Sequence, residues 1–271
     1  MVRVDPEDVL TRSAEPPDAV VRYDGRTDAV IDVHLPPRPI AEAAPPAPLV
    51  VLIHGGFWRA SYDRVHTRPL AAALAREGFV VATPEYRRVG GTGDVAGGWP
   101  TTVDDIGTVM RLLPGLLDGL GIAVRSTTVT GHSAGGHLAL WLANESYPVH
   151  RVVGLAPVGD LRAAAAAHLG GDATQAFLGG EPGDVPDRYD AADPVTRLAD
   201  RPGCEVVVVH GTEDRVVPVT NSRGLHAAHP WTTLHELEGV EHFGLIDPLS
   251  PAWPAVLAAL AGTAAPTAGR G

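Results

Sequence analysis

A repeated alternation of apolar runs with helical stretches constrains the fold of this chain more than any other sequence feature. The first run, Leu49–Ile53, is apolar at every position, which is typical of a strand that is covered on both faces of a sheet. Further strands are predicted at 79–82, 127–130, 151–155, 205–209 and 232–237. Helices are predicted at 68–77, 102–117, 134–144, 220–228 and 254–261. This order predicts an α/β fold with a mainly parallel sheet and helices on both faces.

The remaining segments complete a single predicted domain over residues 20–262. Two short apolar segments, 20–23 and 29–35, flank a turn-rich stretch and predict an N-terminal antiparallel hairpin. Residues 1–19 are polar and rich in proline, and we expect a loosely held arm. Residues 263–271 are rich in Ala, Gly, Pro and Thr, which predicts a disordered tail.

Residues 158–200 interrupt the alternation. They contain an alanine run at 163–167, two glycine pairs and several prolines. The segment is too long for an ordinary loop and too helical for a linker. We expect a small helical excursion over the strand ends that partly covers a site; an insertion without function is the alternative.

Composition excludes several classes of function. The net charge is −11 and no stretch concentrates basic residues, which argues against binding to nucleic acid. All 21 basic residues are arginine, so Schiff-base and P-loop lysine chemistry is excluded. Cys204 is the single cysteine and cannot form an intrachain disulfide. Because neither a signal segment nor a run of about 18 apolar residues is found, we expect a cytoplasmic protein that does not bind membranes.

The sequence Gly131-His-Ser133-Ala-Gly135 matches the pattern G-x-S-x-G between a predicted strand and a predicted helix. A serine in this context sits at a sharp turn in a strained backbone conformation, which only small neighbours permit. The turn exposes Oγ and directs the N-terminus of the helix at developing negative charge. Ser133 is therefore the predicted nucleophile; a structural turn is the alternative.

A glycine-containing loop, His54-Gly55-Gly56-Phe57-Trp58, follows the first buried strand. Glycines there let backbone N–H groups converge on a substrate oxygen. The predicted oxyanion-hole donors are the N–H groups of Gly56, Phe57 and Ala134. Trp58 is predicted to wall the substrate pocket; a tight loop without function is the alternative for the whole segment.

The acid and the base of a catalytic triad are expected to follow the serine in the order Asp then His. Asp214 lies on a loop after a buried strand, and its spacing from Gly211 favours it over Glu213. His242 follows the last predicted strand on a loop that begins with glycine, which makes it the predicted base. His210 is interpreted as a structural residue of the acid loop.

A metal site is not expected. His132 and His137 lie five residues apart, and no nearby carboxylate completes a ligand set of the catalytic zinc type. We therefore interpret His137 as a packed or hydrogen-bonded histidine.

These motifs resemble those of α/β-hydrolases of the kynurenine formamidase-like branch. The resemblance covers roughly residues 48–250, and the H-G-G-x-W form of the loop at 54–58 points to that branch. It implies an arylformamidase that needs no cofactor and hydrolyses N-formylkynurenine. The alternative is a carboxylesterase for small acyl or aryl esters, and a more remote one is a binding module without activity. The predicted partner is a small ester or formamide substrate; the oligomeric state stays open, with a homodimer as one option.

Overall fold

The computed structural model describes residues 6–37 and 45–263, which form one eight-stranded sheet in the order β1-β2-β4-β3-β5-β6-β7-β8. The strands are β1 Ala19–Arg22, β2 Val30–His34, β3 Ala47–Ile53, β4 Val80–Pro84, β5 Val124–His132, β6 Arg151–Leu155, β7 Glu205–Gly211 and β8 Thr233–Leu237. The helices are α1 Arg68–Arg76, α2 Thr101–Gly119, α3 Ala134–Leu142, α4 Leu161–Ala166, α5 Ala173–Leu178, α6 Pro186–Ala192, α7 Pro194–Arg197, α8 Thr220–Ala228 and α9 Trp253–Ala261.

Strand β3 shows why the apolar runs form a sheet that is buried on both faces. Val51 and Ile53 pack in one cluster with residues of α2 and α3. Val50 and Leu52 point to the opposite face and pack with residues of α1 and α9. Side chains alternate between faces along a strand, so a strand between two helical layers must be apolar at every position. The predicted α/β fold, with a mainly parallel sheet and helices on both faces, is confirmed.

The edge formed by β1 and β2 is antiparallel, as the sequence predicts. Ala19 pairs with Val33 and Arg22 with Val30, and β2 then runs antiparallel to β4. From β4 to β8 the pairs are parallel. The N-terminal hairpin is therefore confirmed. The connector residues 38–44 and the tail residues 264–271 lie outside the described part of the chain.

Residues 1–5 of the predicted arm lie outside the described part of the chain, but the described segment from residue 6 to β1 differs from the loosely held arm that its composition predicts. Residues Pro6–Leu10 form a 3-10 helix. Val9 is 1% exposed and packs in the core cluster between the sheet and α9. Both terminal guanidinium nitrogens of Arg12, Nη1 and Nη2, donate to the carboxylate of Asp247, with Nη2 to Oδ2 at 2.9 Å. The composition of the segment did not predict this packing, because the 3-10 helix is held by one buried side chain and one ion pair within an otherwise polar, proline-rich sequence.

The excursion over 158–200 consists of the four short helices α4 to α7. It packs on the loop after β3: Phe177 stacks on Trp58 with ring centroids 4.6 Å apart. A Cβ on Gly170 would meet the ring of Phe57 at 2.7 Å, so the two segments are in close contact. The excursion therefore packs against the loop after β3 through Trp58 and Phe57.

Four loops meet at the carboxyl edge of the parallel strands. They follow β3, β5, β7 and β8 and carry the predicted functional residues. Ligands of open α/β sheets bind at this edge. Among the described residues, no helix has the length and apolar character needed to cross a bilayer.

Candidate active site

Ser133 lies between β5 and α3 with φ 56° and ψ −119°, a backbone conformation that is strained for a residue with a side chain. Two glycines make the turn possible. A Cβ on Gly131 would lie 2.1 Å from the carbonyl oxygen of Gly135, and a Cβ on Gly135 would lie 2.1 Å from that of Ile53. The N–H of Ser133 donates to the carbonyl of Leu155 at 2.9 Å. The G-x-S-x-G spacing thus has a steric cause.

Asp214 and His242 are brought together by the loops after β7 and β8. His242 Nδ1 donates to Asp214 Oδ2 at 2.6 Å, and both side chains are almost fully buried. The other carboxylate oxygen accepts from the N–H groups of Val216 and Val217 at 2.9 and 2.8 Å. Because Asp214 fixes the proton on Nδ1, Nε2 of His242 is the nitrogen available to a hydroxyl.

The carboxylate of Asp214 is strongly stabilised in its ionised form. Burial by itself raises the pKa of Asp214, but hydrogen bonds from His210 and His242 outweigh it and hold the pKa well below its ordinary value. His210 also contacts Ser222 Oγ at 2.6 Å and the carbonyl of Val217 at 2.8 Å. It is a structural part of the acid loop, as expected, while Glu213 is exposed to solvent.

The loop after β3 passes directly against Ser133. A Cβ on Gly55 would lie 3.2 Å from the Cβ of Ser133. Among the described residues, the N–H groups of Gly56, Phe57 and Ala134 donate to no backbone or side-chain acceptor. Three donors without internal partners therefore flank the serine from two elements, as an oxyanion hole requires.

A buried ionic cluster under this loop was not predicted from the sequence. His54 Nε2 contacts Glu85 Oε1 at 2.8 Å, and the ring of His54 stacks on Tyr86 at 4.3 Å. Tyr86 OH donates to the carbonyl of His54 at 2.9 Å, and Arg88 Nη1 lies 3.2 Å from Glu85. Burial raises the pKa of Glu85, but interactions with His54 and with the guanidinium of Arg88 lower it overall to about 2. The cluster therefore fixes His54, the first residue of the loop at 54–58.

The expectation that Trp58 walls the substrate pocket is not met. Its side chain is 0% exposed, stacks on Phe177 and meets the ring of His137 edge-on at 5.3 Å. The left-handed backbone at Gly56, Phe57 and Trp58, with φ of 107°, 52° and 55°, turns the indole inward. Trp58 is thus a core residue beneath the loop.

A cavity of about 40 Å³ lies beside Ser133 and His242. Its other lining residues are Leu10, Gly56, Phe57, Tyr62, His66, His132, Val216 and Phe243. Several of these lining residues were not predicted from the sequence, because they lie in segments that are distant from the catalytic motifs in sequence and carry no motif of their own. The residues that form the cavity wall could be found only from the fold.

Three histidines near the site are held neutral or engaged internally. Burial lowers the pKa of His132 well below its ordinary value, and His132 Nε2 donates to the carbonyl of His242 at 3.0 Å. Burial lowers the pKa of His66 to about 4. His137 Nε2 donates to the carbonyl of Ala192 at 3.0 Å, in agreement with its interpretation as a hydrogen-bonded histidine. In the described ranges, no three His, Cys, Asp or Glu side chains are placed to hold a metal.

Several known proteins are similar to this chain. "Probable carboxylic ester hydrolase LipM" of Mycobacterium tuberculosis (strain ATCC 25618 / H37Rv) is 27% identical over 205 residues, 69% of this chain and 46% of that protein. The chain thus spans about half the length of this curated relative. Esterase B from Lactobacillus rhamnosis superposes with a TM-score of 0.73 at 18% identity, over 93% of this chain and 88% of the other. A truncated carbohydrate esterase from gut microbiota gives a TM-score of 0.71 at 18% identity, over 88% and 95%.

These structural likenesses show that the fold is that of the α/β-hydrolases. A match to a protein-family model is more specific than these structural likenesses. It extends from β2 to the end of α8 and includes the loop at 54–58, Ser133 and Asp214. His242 lies beyond its end. The family model described as BD-FAE matches residues 31–228, more than half of the chain, and the chain therefore belongs to the BD-FAE family.

Proposed function

We propose that the protein is a serine hydrolase that cleaves carboxylic esters with short acyl groups. The observation that carries the proposal is the convergence at one sheet edge of Ser133, the hydrogen-bonded pair Asp214–His242 and three unpaired N–H groups. The family and the relative described as a probable carboxylic ester hydrolase support ester cleavage.

In the proposed reaction Ser133 Oγ attacks the ester carbonyl and gives its proton to Nε2 of His242. The negative oxygen of the tetrahedral intermediate accepts hydrogen bonds from the N–H groups of Gly56, Phe57 and Ala134. The carbon–oxygen bond to the alcohol then breaks, and His242 returns the proton to that alcohol. Water attacks the acyl-enzyme in the same way, releasing the carboxylic acid and restoring the Ser133 hydroxyl.

The size of the cavity favours a short acyl group. About 10–15 Å³ of such space holds one water molecule, so 40 Å³ holds a few heavy atoms. A space of this size favours an acetyl or propionyl group over a long chain. A formyl group fits as well, so the H-G-G-x-W resemblance keeps formamide hydrolysis as a second candidate. The buried position of Trp58 removes from the pocket the aromatic side chain that was predicted to wall it.

The decisive experiment compares substrates on the purified full chain. Values of kcat/KM for p-nitrophenyl acetate, butyrate and hexanoate are measured beside N-formylkynurenine. We expect the short esters to be turned over and N-formylkynurenine to be a poor substrate. A kcat/KM for N-formylkynurenine above that of the short aryl esters would favour the formamidase instead.

The nucleophile is tested in parallel with the variant Ser133→Ala. We expect loss of labelling by a fluorophosphonate probe and a fall in kcat of about 10⁴-fold or more with the fold retained. Circular dichroism and thermal unfolding check the fold. Substantial remaining activity would show that the nucleophile is misassigned.

A further inference from the structure

The N-terminal 3-10 helix reaches the candidate active site from outside the motifs that define it. Leu10, the last residue of this helix, is one of the side chains that line the cavity beside Ser133. It is partly buried and packs against the cluster that holds Val9. A residue more than 120 positions before the serine therefore forms part of the space in which substrate must lie.

The helix that carries Leu10 is held from both sides. Val9, one residue earlier, is 1% exposed in the core. Arg12, two residues later, makes a two-pronged ion pair with Asp247, which is 7% exposed. Asp247 Oδ1 also accepts the N–H of Leu249 at 2.8 Å, so the acceptor itself is fixed.

The anchor connects the helix to the segment that carries His242. Asp247 follows a 3-10 helix, Phe243–Leu245, that begins directly after His242. Phe243 lines the cavity together with Leu10, and its N–H donates to Glu241 at 2.9 Å. The N-terminal helix and the His242 segment therefore form one continuous wall.

From this arrangement we infer that Leu10 is a specificity-determining residue that limits the length of the acyl group. The inference rests on the proposed esterase function. The acyl group stays bonded to Ser133 Oγ after the alcohol has left, so it must occupy space next to Oγ. The cavity lies beside Ser133, and the backbone that carries Leu10 is anchored by buried Val9 and by the ion pair of Arg12, so the segment cannot shift away from the cavity without breaking these contacts.

The test uses the full-length protein and the variant Leu10→Ala. Values of kcat/KM are measured for p-nitrophenyl esters from acetate to octanoate. We expect the ratio of hexanoate to acetate to rise by about tenfold, the usual size of a pocket effect of one or a few methylenes. The readout is the ratio and not the absolute rate for either ester, because Leu10 itself lines the cavity.

A matched control is Leu249→Ala, the same chemical change at a side chain that is 77% exposed. We expect its chain-length profile to equal that of the unmodified protein. The double variant Arg12→Gln with Asp247→Asn removes the ion pair and leaves two uncharged polar side chains, of which the glutamine is shorter than the arginine it replaces. It should shift the profile in the same direction as Leu10→Ala.

Each outcome has a distinct meaning. An unchanged profile for Leu10→Ala, with acetate hydrolysis intact, would overturn the inference and leave the proposed function standing. A second series with acetate esters of small and large alcohols separates the two sides of the scissile bond. A variant that alters only alcohol preference would also overturn the inference. If the unmodified protein hydrolyses no ester of any length, the proposed function fails first.

Discussion

The two sides of the candidate site are built from different kinds of group. On the side of β7 and β8, the functional groups are side chains: Asp214 and His242, joined by a hydrogen bond of 2.6 Å. On the side of β3, the functional groups belong to the backbone: they are the N–H groups of Gly56 and Phe57. We therefore expect that a single isosteric substitution removes activity on the first side, whereas on the second side a change of loop shape is needed.

The same contrast holds for what lies beneath each side. Asp214 is fixed by neighbours within four residues, namely the N–H groups of Val216 and Val217 and the ring of His210. The β3 loop is fixed from a distance by Glu85, which directly follows the neighbouring strand β4, and by Phe177 of the excursion. Contacts between residues close in sequence can be predicted from a local motif, whereas contacts between distant segments cannot.

The largest effect is expected on the side-chain half of the site. In Asp214→Asn the amide replaces the carboxylate that holds the His242 proton on Nδ1, so the wrong tautomer faces Ser133. We expect kcat to fall by about 10⁴-fold. Steady-state kinetics measure it, with Glu213→Gln, an exposed neighbour, as the control. A greater loss of kcat in Glu213→Gln than in Asp214→Asn would show that Glu213, and not Asp214, is the acid.

A smaller loss is expected from a change of backbone shape in the β3 loop. A Cβ at Gly56 would lie 2.4 Å from the Cβ of Tyr62, and its φ of 107° disfavours any side chain. Gly56→Val should displace the donor and lower kcat by about 10²–10³-fold, as for a lost oxyanion donor. Gly25→Val, at a position with open space around it, is the matched control. Equal kinetics for both variants would show that the loop does not bind the oxyanion.

A third variant tests whether the distant support acts through the loop. Glu85→Gln keeps the shape but removes the charge beside His54, and we expect a loss in kcat of about tenfold to a hundredfold through misplaced donors. Exposed Glu77→Gln is the control. A change in KM alone, with kcat intact, would contradict the positioning role.

The same carboxylate has a consequence for stability. The pKa of Glu85 is lowered from an ordinary 4.5 to about 2, so its ionised form stabilises the fold above pH 4.5 and this contribution is lost as the pH falls toward 2. Urea unfolding at several pH values between 6 and 3 should therefore show a shallower acid-side decline for Glu85→Gln than for the unmodified protein.

The smallest effect on rate is expected at Phe57. The residue contributes its N–H to the site, while its partly buried side chain lines the cavity. Phe57→Ala should therefore change the ratio between acyl chain lengths more than the acetate rate, with a loss of less than about tenfold. Competition between two esters measures that ratio directly. A loss as large as that of Gly56→Val would mean that the ring, not the backbone, is essential.

The sequence sufficed where a residue's role depends on its immediate neighbours. The strand–turn–helix around Ser133 and the strand-end positions of Asp214 and His242 follow from local spacing, and the structure places the three residues at one edge. The position of Trp58 could not be predicted, because it depends on left-handed φ values at consecutive residues and on Phe177 more than 100 positions away. Leu10 and Glu85 were missed for the same reason: their contacts join segments that only the sheet order brings together.

The contact between Gly135 and the end of β3 determines which parts of such a protein can change during evolution. The main chain of α3 touches the carbonyls of Ile53 and His54 with no side chain between them. The spacing between the Ala134 donor and the 56–57 donors is therefore set by two backbones in contact. Residues of the cavity wall outside these two backbones, such as Leu10, can be exchanged without altering that spacing. New substrate ranges can thus arise by drift at the cavity wall while the reaction centre keeps its dimensions.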